Sequence, residues 1–89
     1  MSDAFALLRT QFIDRCRDDL AELSRERVDS EAFATLVHRL AGTAGSFGFP
    51  ELSAAAGAVD QQIRNGEGPS ATEVEALIRA LEKAIRTNS

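Results

Sequence analysis

Apolar residues recur at steps of three and four in four separate stretches of this chain, and this spacing limits its possible folds more than any other feature. The spacing places the apolar side chains of each stretch on one side of an α-helix. Glycine and proline interrupt the pattern in "SFGFP" and "NGEGPS", which predicts breaks there. The predicted core side chains are Phe5, Leu8, Phe12, Cys16, Leu20 and Leu23 in the first stretch, Phe33, Leu36, Val37, Leu40, Ala44 and Phe47 in the second, Leu52, Ala55, Ala56, Val59 and Ile63 in the third, and Val74, Leu77, Ile78, Leu81 and Ile85 in the fourth.

Residues typical of helix ends set the predicted bounds of these helices. Asp29 or Ser30 can cap the second helix, and Pro50 suits the first position of the third because its missing N–H would have no partner there. Two overlapping capping boxes lie in "SATEVE". Leu7 and Ile13 lie off the centre of the first stripe, and the pattern leaves their burial open. The predicted helices run from Asp3 to about Arg25, from the Asp29–Ser30 pair to the break at Gly48, from Pro50 to near Arg64, and from "SATEVE" through Ile85.

The length and the connections between helices limit the architecture. The chain has 89 residues, which is enough for one hydrophobic core but not for two. It contains no Trp or Tyr, and glycine and proline are confined to a few places, which favours helices over strands. Short connections make successive helices antiparallel neighbours. The prediction is an all-α fold, a single up-down-up-down antiparallel four-helix bundle formed by one domain over residues 1–89.

The charge and the cysteine content exclude several classes of protein. The net charge is −4 and the basic residues are spread along the chain, so a nucleic-acid backbone would repel it. The single cysteine, Cys16, lies on the apolar stripe of the first helix and is expected in the core. No apolar run approaches the roughly 20 residues of a membrane span, and the pattern of a signal peptide is missing. We expect a cytoplasmic protein with no nucleic-acid or membrane partner and no metal site.

His38 is the one histidine of the chain, and its predicted position is unusual. At about 100° per residue, it lies about 155° from the centre of the second helix's apolar face, so it should point outward. Ala, Thr and Gly share its side of the helix, where a solvated face would carry Glu, Lys or Gln. An interior glycine costs about 1 kcal/mol relative to alanine, which indicates close approach of another group. A protruding imidazole on a low surface suits phosphoryl transfer from a partner's active site, although an idle surface histidine remains possible on spacing alone.

The run "HRLAGTAGSFGF" resembles the signature of histidine-containing phosphotransfer (HPt) domains, and the helix pattern resembles the family's bundle over essentially the whole chain. The resemblance implies that His38 is phosphorylated and that the chain is a phosphocarrier rather than an enzyme. It implies no cofactor of its own, with magnesium on the partner, and as partners a response-regulator receiver domain, a histidine kinase, or both. The residues expected around the phosphoryl group and the docked partner share the helix face of His38 or flank it, and they are Thr35, Arg39, Ala41, Gly42 and Gly45.

One position departs from the family pattern. The family's lysine three residues after the histidine is Ala41 here, which removes a positive charge beside the phosphate. Arg39 is close in sequence but lies about 100° round the helix, so that only its long side chain could reach back. Arg64 on the third helix is a more remote substitute.

Two alternatives to the phosphocarrier remain open. A docking or scaffolding module that had lost phosphotransfer would present the same small residues around His38. A dimerising histidine-kinase domain also carries a histidine on a bundle helix, but it usually has an acidic residue directly after that histidine and a proline soon after. Here Arg39 follows His38, and the next proline is Pro50. Four helices in one chain favour a monomer, whereas the kinase domain builds its bundle from two chains.

Overall fold

The computed structural model describes residues 3–87, which form four α-helices and no strand. The all-helical prediction is therefore confirmed. Residues 1, 2, 88 and 89 of the predicted domain lie outside the described part of the chain. The helices are α1 (Asp3–Arg25), α2 (Glu31–Ala44), α3 (Pro50–Arg64) and α4 (Ala71–Thr87), with a 3₁₀ turn at Gly45–Phe47 between α2 and α3.

Serine side chains fix where two of the helices begin. The Ser30 hydroxyl accepts a hydrogen bond from the backbone N–H of Phe33 at 3.1 Å, so Ser30 rather than Asp29 is the cap of α2. Ser70 accepts in the same way from the N–H of Glu73 at 3.2 Å, at the start of α4. Each cap satisfies one backbone N–H that the first turn of a helix leaves without a partner.

α2 ends earlier than its apolar pattern predicts. From Gly45 the backbone tightens into the 3₁₀ turn, and Gly48 closes that turn at φ 84°, a left-handed conformation that glycine adopts without strain. The N–H of Phe49 then donates to the carbonyl of Ala44 at 3.0 Å, which satisfies one of the last carbonyls of α2. Pro50 follows as the first residue of α3, as predicted.

The helices pack around one core, and α2 makes its largest contact with α3. α3 also packs against α4, and α4 packs against α1, whereas the contact between α1 and α2 is small. Glu51 at the start of α3 pairs with Lys83 late in α4 at 3.0 Å. At the opposite end, Gln62 accepts from the N–H of Ser70 at 3.0 Å, so α3 and α4 run in opposite directions.

The predicted core is right along most of its length but wrong at the start of α1. Phe5 and Leu8 were expected in the core, and both are 49% exposed. α1 has 23 residues and α2 has 14, so α2 does not fully cover the first turns of α1. The ring of Phe5 stacks on that of Phe47, with 6.3 Å between the ring centroids. Of the two residues that the pattern left open, Ile13 is fully buried and Leu7 is exposed.

A buried carboxylate joins α1 to α2. Asp19 is 4% exposed, and Nη2 of Arg39 donates to its Oδ1 at 2.8 Å. Burial raises the pKa of Asp19, and the charge and hydrogen bond of Arg39 oppose that shift. Burial together with the Asp19 charge also raises the pKa of the nearby Cys16 thiol to about 12. Cys16 is therefore a core residue, as predicted, and its thiol is a poor nucleophile at neutral pH.

Arg39→Ala should lower the free energy of unfolding by about 2–3 kcal/mol at neutral pH, because it leaves the Asp19 carboxylate buried without its partner. The folded-state pKa of Asp19 then rises further above its unfolded value. Stability is therefore lost as the pH rises through that folded-state pKa, and the defect shrinks in acid. Urea unfolding at about pH 7 and about pH 4 measures this difference.

The matched control is Asp19→Asn combined with Arg39→Ala, which removes the stranded charge and should recover most of the stability. If Arg39→Ala unfolded at the wild-type urea concentration at both pH values, the ion pair would not be what holds α1 against α2.

Candidate functional site

His38 lies on the outer side of α2, as its angle from the apolar face predicts, and its side chain is 61% exposed. The opposite side of α2 is buried in the core and carries Phe33, Leu36, Val37 and Leu40. The imidazole of His38 therefore points away from the core. The Nδ1 atom of the ring lies 3.3 Å from Oδ2 of Asp60. An exposed ring with one nitrogen in contact with α3 is therefore the centre of the candidate site.

A second α3 side chain reaches the same ring nitrogen. Nη2 of Arg64 lies 3.2 Å from Nδ1 of His38, and Nε of Arg64 lies 3.2 Å from Oδ2 of Asp60. Asp60 and Arg64 are four residues apart, so they share the face of α3 that borders α2. The three side chains form a triangle in which a carboxylate, a guanidinium and an imidazole nitrogen meet.

The two contacts at Nδ1 require different protonation states of the neutral imidazole. Nδ1 donates to Asp60 when it carries the proton, and it accepts from Arg64 when it does not. In the first case Nε2 holds a lone pair, and in the second it holds the proton. No hydrogen bond among residues 3–87 engages Nε2. The ring therefore has one nitrogen held by α3 and one that a reactant can reach.

The predicted small residues around His38 lie in three different settings. Gly42 is exposed, and a Cβ added there would meet nothing within 4 Å, while Thr35 is exposed nearby on the same helix. Ala41 is half-buried against the core, and its carbonyl accepts from the hydroxyl of Ser53 at 2.8 Å. A Cβ at Gly45 would lie 3.5 Å from Oγ of Ser53. A side chain at Gly45 would therefore touch α3 at an ordinary contact distance, and the open surface beside His38 is that of Gly42.

A groove of about 210 Å³ also lies between α1 and α2. Leu8, Phe12 and Phe47 form much of its wall, and the Asp19–Arg39 ion pair closes one side. His38 does not line this groove, and the charged groups that do line it include a pair already engaged with each other. The groove lies where the contact between α1 and α2 is small, and His38 rather than this groove is the centre of the candidate site.

Comparison with known families identifies the family of this chain. The model of the Hpt domain family matches residues 7–88, nearly the whole chain. The chain belongs to the Hpt family. It is therefore a histidine phosphotransfer module of two-component signalling, and the family consists of phosphocarriers that work with receiver domains and kinases rather than of catalytic enzymes. Searches of curated proteins and of solved structures find no match. None of the helices among residues 3–87 has the length and apolar character needed to cross a membrane.

The two arginines of this Hpt domain that the sequence offered as substitutes for the missing lysine have different positions. Arg39 is bound to the buried Asp19 of α1, which holds its guanidinium away from the triangle on α3. Arg64, the more remote substitute in sequence, is the one that contacts His38. Arg39, which follows His38 in the chain, is thus part of the packing between α1 and α2, whereas Arg64 lies beside the histidine.

Sequence reasoning missed Asp60 altogether. An acidic residue four positions before an arginine is a common helix pair, and this spacing is the signal that Asp60 and Arg64 share a face. Which turn of α2 that face meets depends on how far α3 is shifted along α2. The packing of α3 against α2 across the turn at Gly45–Phe47 decides that shift, and the sequence pattern alone does not give it.

Proposed function

We propose that this Hpt domain carries a phosphoryl group on His38, taken from a kinase or a receiver-domain aspartate and passed to another receiver domain. The observation that supports it is the exposed imidazole whose Nδ1 faces Asp60, which leaves Nε2 as the nitrogen that a reactant can reach. The family assignment supports the general chemistry, and this geometry supports the choice of residue and atom.

The proposed transfer is an in-line displacement at phosphorus. With the proton on Nδ1 and directed at Asp60, the Nε2 lone pair forms the N–P bond. The P–O bond of the donor's aspartyl phosphate breaks, and its electron pair leaves on the donor carboxylate. The ring keeps the Nδ1 proton and gains a positive charge, which the Asp60 carboxylate faces. Asp60 is thus a positioning residue that stabilises the reactive tautomer and the phosphorylated ring.

The rest of the chemistry is proposed to lie on the partner. A receiver domain or kinase supplies the magnesium ion and the acidic groups that hold it, and this chain supplies the imidazole and a surface low enough for that site to approach. Gly42, one turn after His38, leaves open space, and Thr35, one turn before it, adds only a short side chain. Arg39 enters this proposal as a residue that holds α1 against α2, and Gly45 as a small residue beside Ser53 of α3.

With a phosphorylated receiver or kinase of the source organism and magnesium, the wild-type chain should gain one phosphate that survives alkali and is lost in acid, as a P–N bond is. His38→Gln should abolish the label and leave the melting temperature nearly unchanged, because the exposed ring contributes little to the core. Radiolabelled transfer with acid and alkali treatment measures both properties.

Label on a Ser, Thr or Asp, or label that persists in His38→Gln, would contradict the proposal. No label from any receiver or kinase of the organism would indicate the docking module that does not transfer phosphate.

Gly42 provides a test of the open surface. Gly42→Ala should raise the free energy of unfolding by about 0.5–1 kcal/mol, since the added Cβ meets no atom and alanine is the better helix former. Gly42→Gln should slow phosphorylation by the partner, because its side chain occupies the approach to His38. Gly66→Ala is the matched control for stability, and it should destabilise the fold because Gly66 has φ 79°. Undiminished transfer by Gly42→Gln would show that the space beside His38 is not used.

We also propose that the domain acts as a monomer, because the four helices of one chain close their own core. Sedimentation equilibrium should give the mass of one chain across the micromolar range. An obligate dimer would contradict this and would favour the dimerising kinase domain.

A further inference from the structure

Arg64 is held at the reactive histidine by contacts that leave much of its side chain free. Its Nε is 3.2 Å from Asp60, its Nη2 is 3.2 Å from Nδ1 of His38, and 59% of the side chain is exposed. Neither contact is as short as a strong charge-assisted hydrogen bond, which is about 2.7–2.9 Å. A long, exposed and weakly held guanidinium beside a phosphate acceptor can change partners at small cost.

We propose that Arg64 has two positions: on Nδ1 of His38 in the resting domain, and on the phosphoryl oxygens when phosphate arrives at Nε2. This inference rests on the proposed function, and it names the chain's own phosphate-binding group. Arg39 cannot serve, because its guanidinium is bound to the buried Asp19. A guanidinium can keep Nε on Asp60 while its outer nitrogens bind phosphoryl oxygens, since its donors form a fixed fork.

The two positions have opposite effects on the nucleophile. While Arg64 donates to Nδ1, that nitrogen holds its lone pair and Nε2 holds the proton, so Nε2 cannot attack phosphorus. When Arg64 moves to the phosphoryl oxygens, Nε2 gives its proton to solvent water and Nδ1 takes one from water, so that Nδ1–H donates a hydrogen bond to Asp60 and Nε2 holds its lone pair. The arrival of phosphate therefore favours the reactive tautomer, and the resting domain favours the unreactive one.

Nuclear magnetic resonance of the ring nitrogens of His38 tests the resting position. In wild type, the tautomer with the proton on Nε2 should be populated, and Arg64→Ala should shift the ring toward the tautomer with the proton on Nδ1. Arg79→Ala is the matched control, because Arg79 is an exposed arginine on α4 in an i,i+4 pair with Glu75. It should leave the tautomers of His38 unchanged.

The lifetime of the phosphorylated histidine tests the second position without a protein partner. Each variant is loaded with phosphoramidate, a small donor that transfers its phosphoryl group and releases ammonia, and the loss of the phosphohistidine signal is followed by phosphorus resonance. Arg64→Ala should shorten the lifetime about two- to fivefold, the effect expected from losing one exposed charge pair. Arg79→Ala should match wild type.

A rescue variant separates the charge from other effects of the substitution. Position 41 is one turn from His38 on α2, so a lysine there can reach the phosphoryl group from the other side. Ala41→Lys added to Arg64→Ala should restore the lifetime of the phosphorylated histidine but not the resting tautomer, because a lysine at this position is not held by Asp60.

Equal tautomers and equal lifetimes in Arg64→Ala and Arg79→Ala would overturn the inference. That result differs from a failure of the proposed function, which would appear as the inability of wild type to exchange phosphate with any receiver or kinase of the organism. A shortened lifetime with unchanged tautomers would also overturn it, since Arg64 would then bind phosphate without leaving Nδ1.

Discussion

The packing of α2 against α3 is the contact on which the rest of this domain depends. It is the largest helix contact in the bundle, and the hydroxyl of Ser53 donates across it to the carbonyl of Ala41. Gly45 lies beside Ser53 at this contact, where an added Cβ would be 3.5 Å from the serine hydroxyl oxygen, an ordinary contact distance. This close packing fixes how far α3 is shifted along α2, and the shift brings Asp60 and Arg64 to the level of His38.

Two of the Asp–Arg pairs in this domain, Asp19–Arg39 and Asp60–Arg64, have different physical roles because their surroundings differ. The carboxylate of the Asp19–Arg39 pair is buried. Removal of the arginine would therefore leave an unpaired buried charge and lower the free energy of unfolding. The Asp60–Arg64 pair is near the surface, where an ion pair adds little to stability. Its atoms can therefore exchange partners during a reaction. The surface pair lies at the histidine, and the buried pair holds α1 to α2.

Exposed apolar residues at the start of α1 follow from the unequal lengths of the helices. Phe5 and Leu8 continue the apolar stripe of α1, but the bundle is too short on that side to cover them, and Leu7 lies off the centre of that stripe. The stacked rings of Phe12, Phe47 and Phe49 mark where the enclosed core ends. Local periodicity predicts that a segment is a helix and which face is apolar, but not where the neighbouring helices stop.

The sequence by itself determined the four helices, most of the core, the burial of Cys16 and the outward direction of His38. Each of these follows from spacing along one helix, which is a local property. Only the tertiary structure decided that Asp60 contacts Nδ1, that Arg64 rather than Arg39 is beside the ring, and that Gly45 faces Ser53 of α3 while Gly42 stays open. These facts depend on the shift and rotation of one helix against another, which the side chains at the α2–α3 and α1–α2 contacts set together, so that no single stretch of sequence contains them.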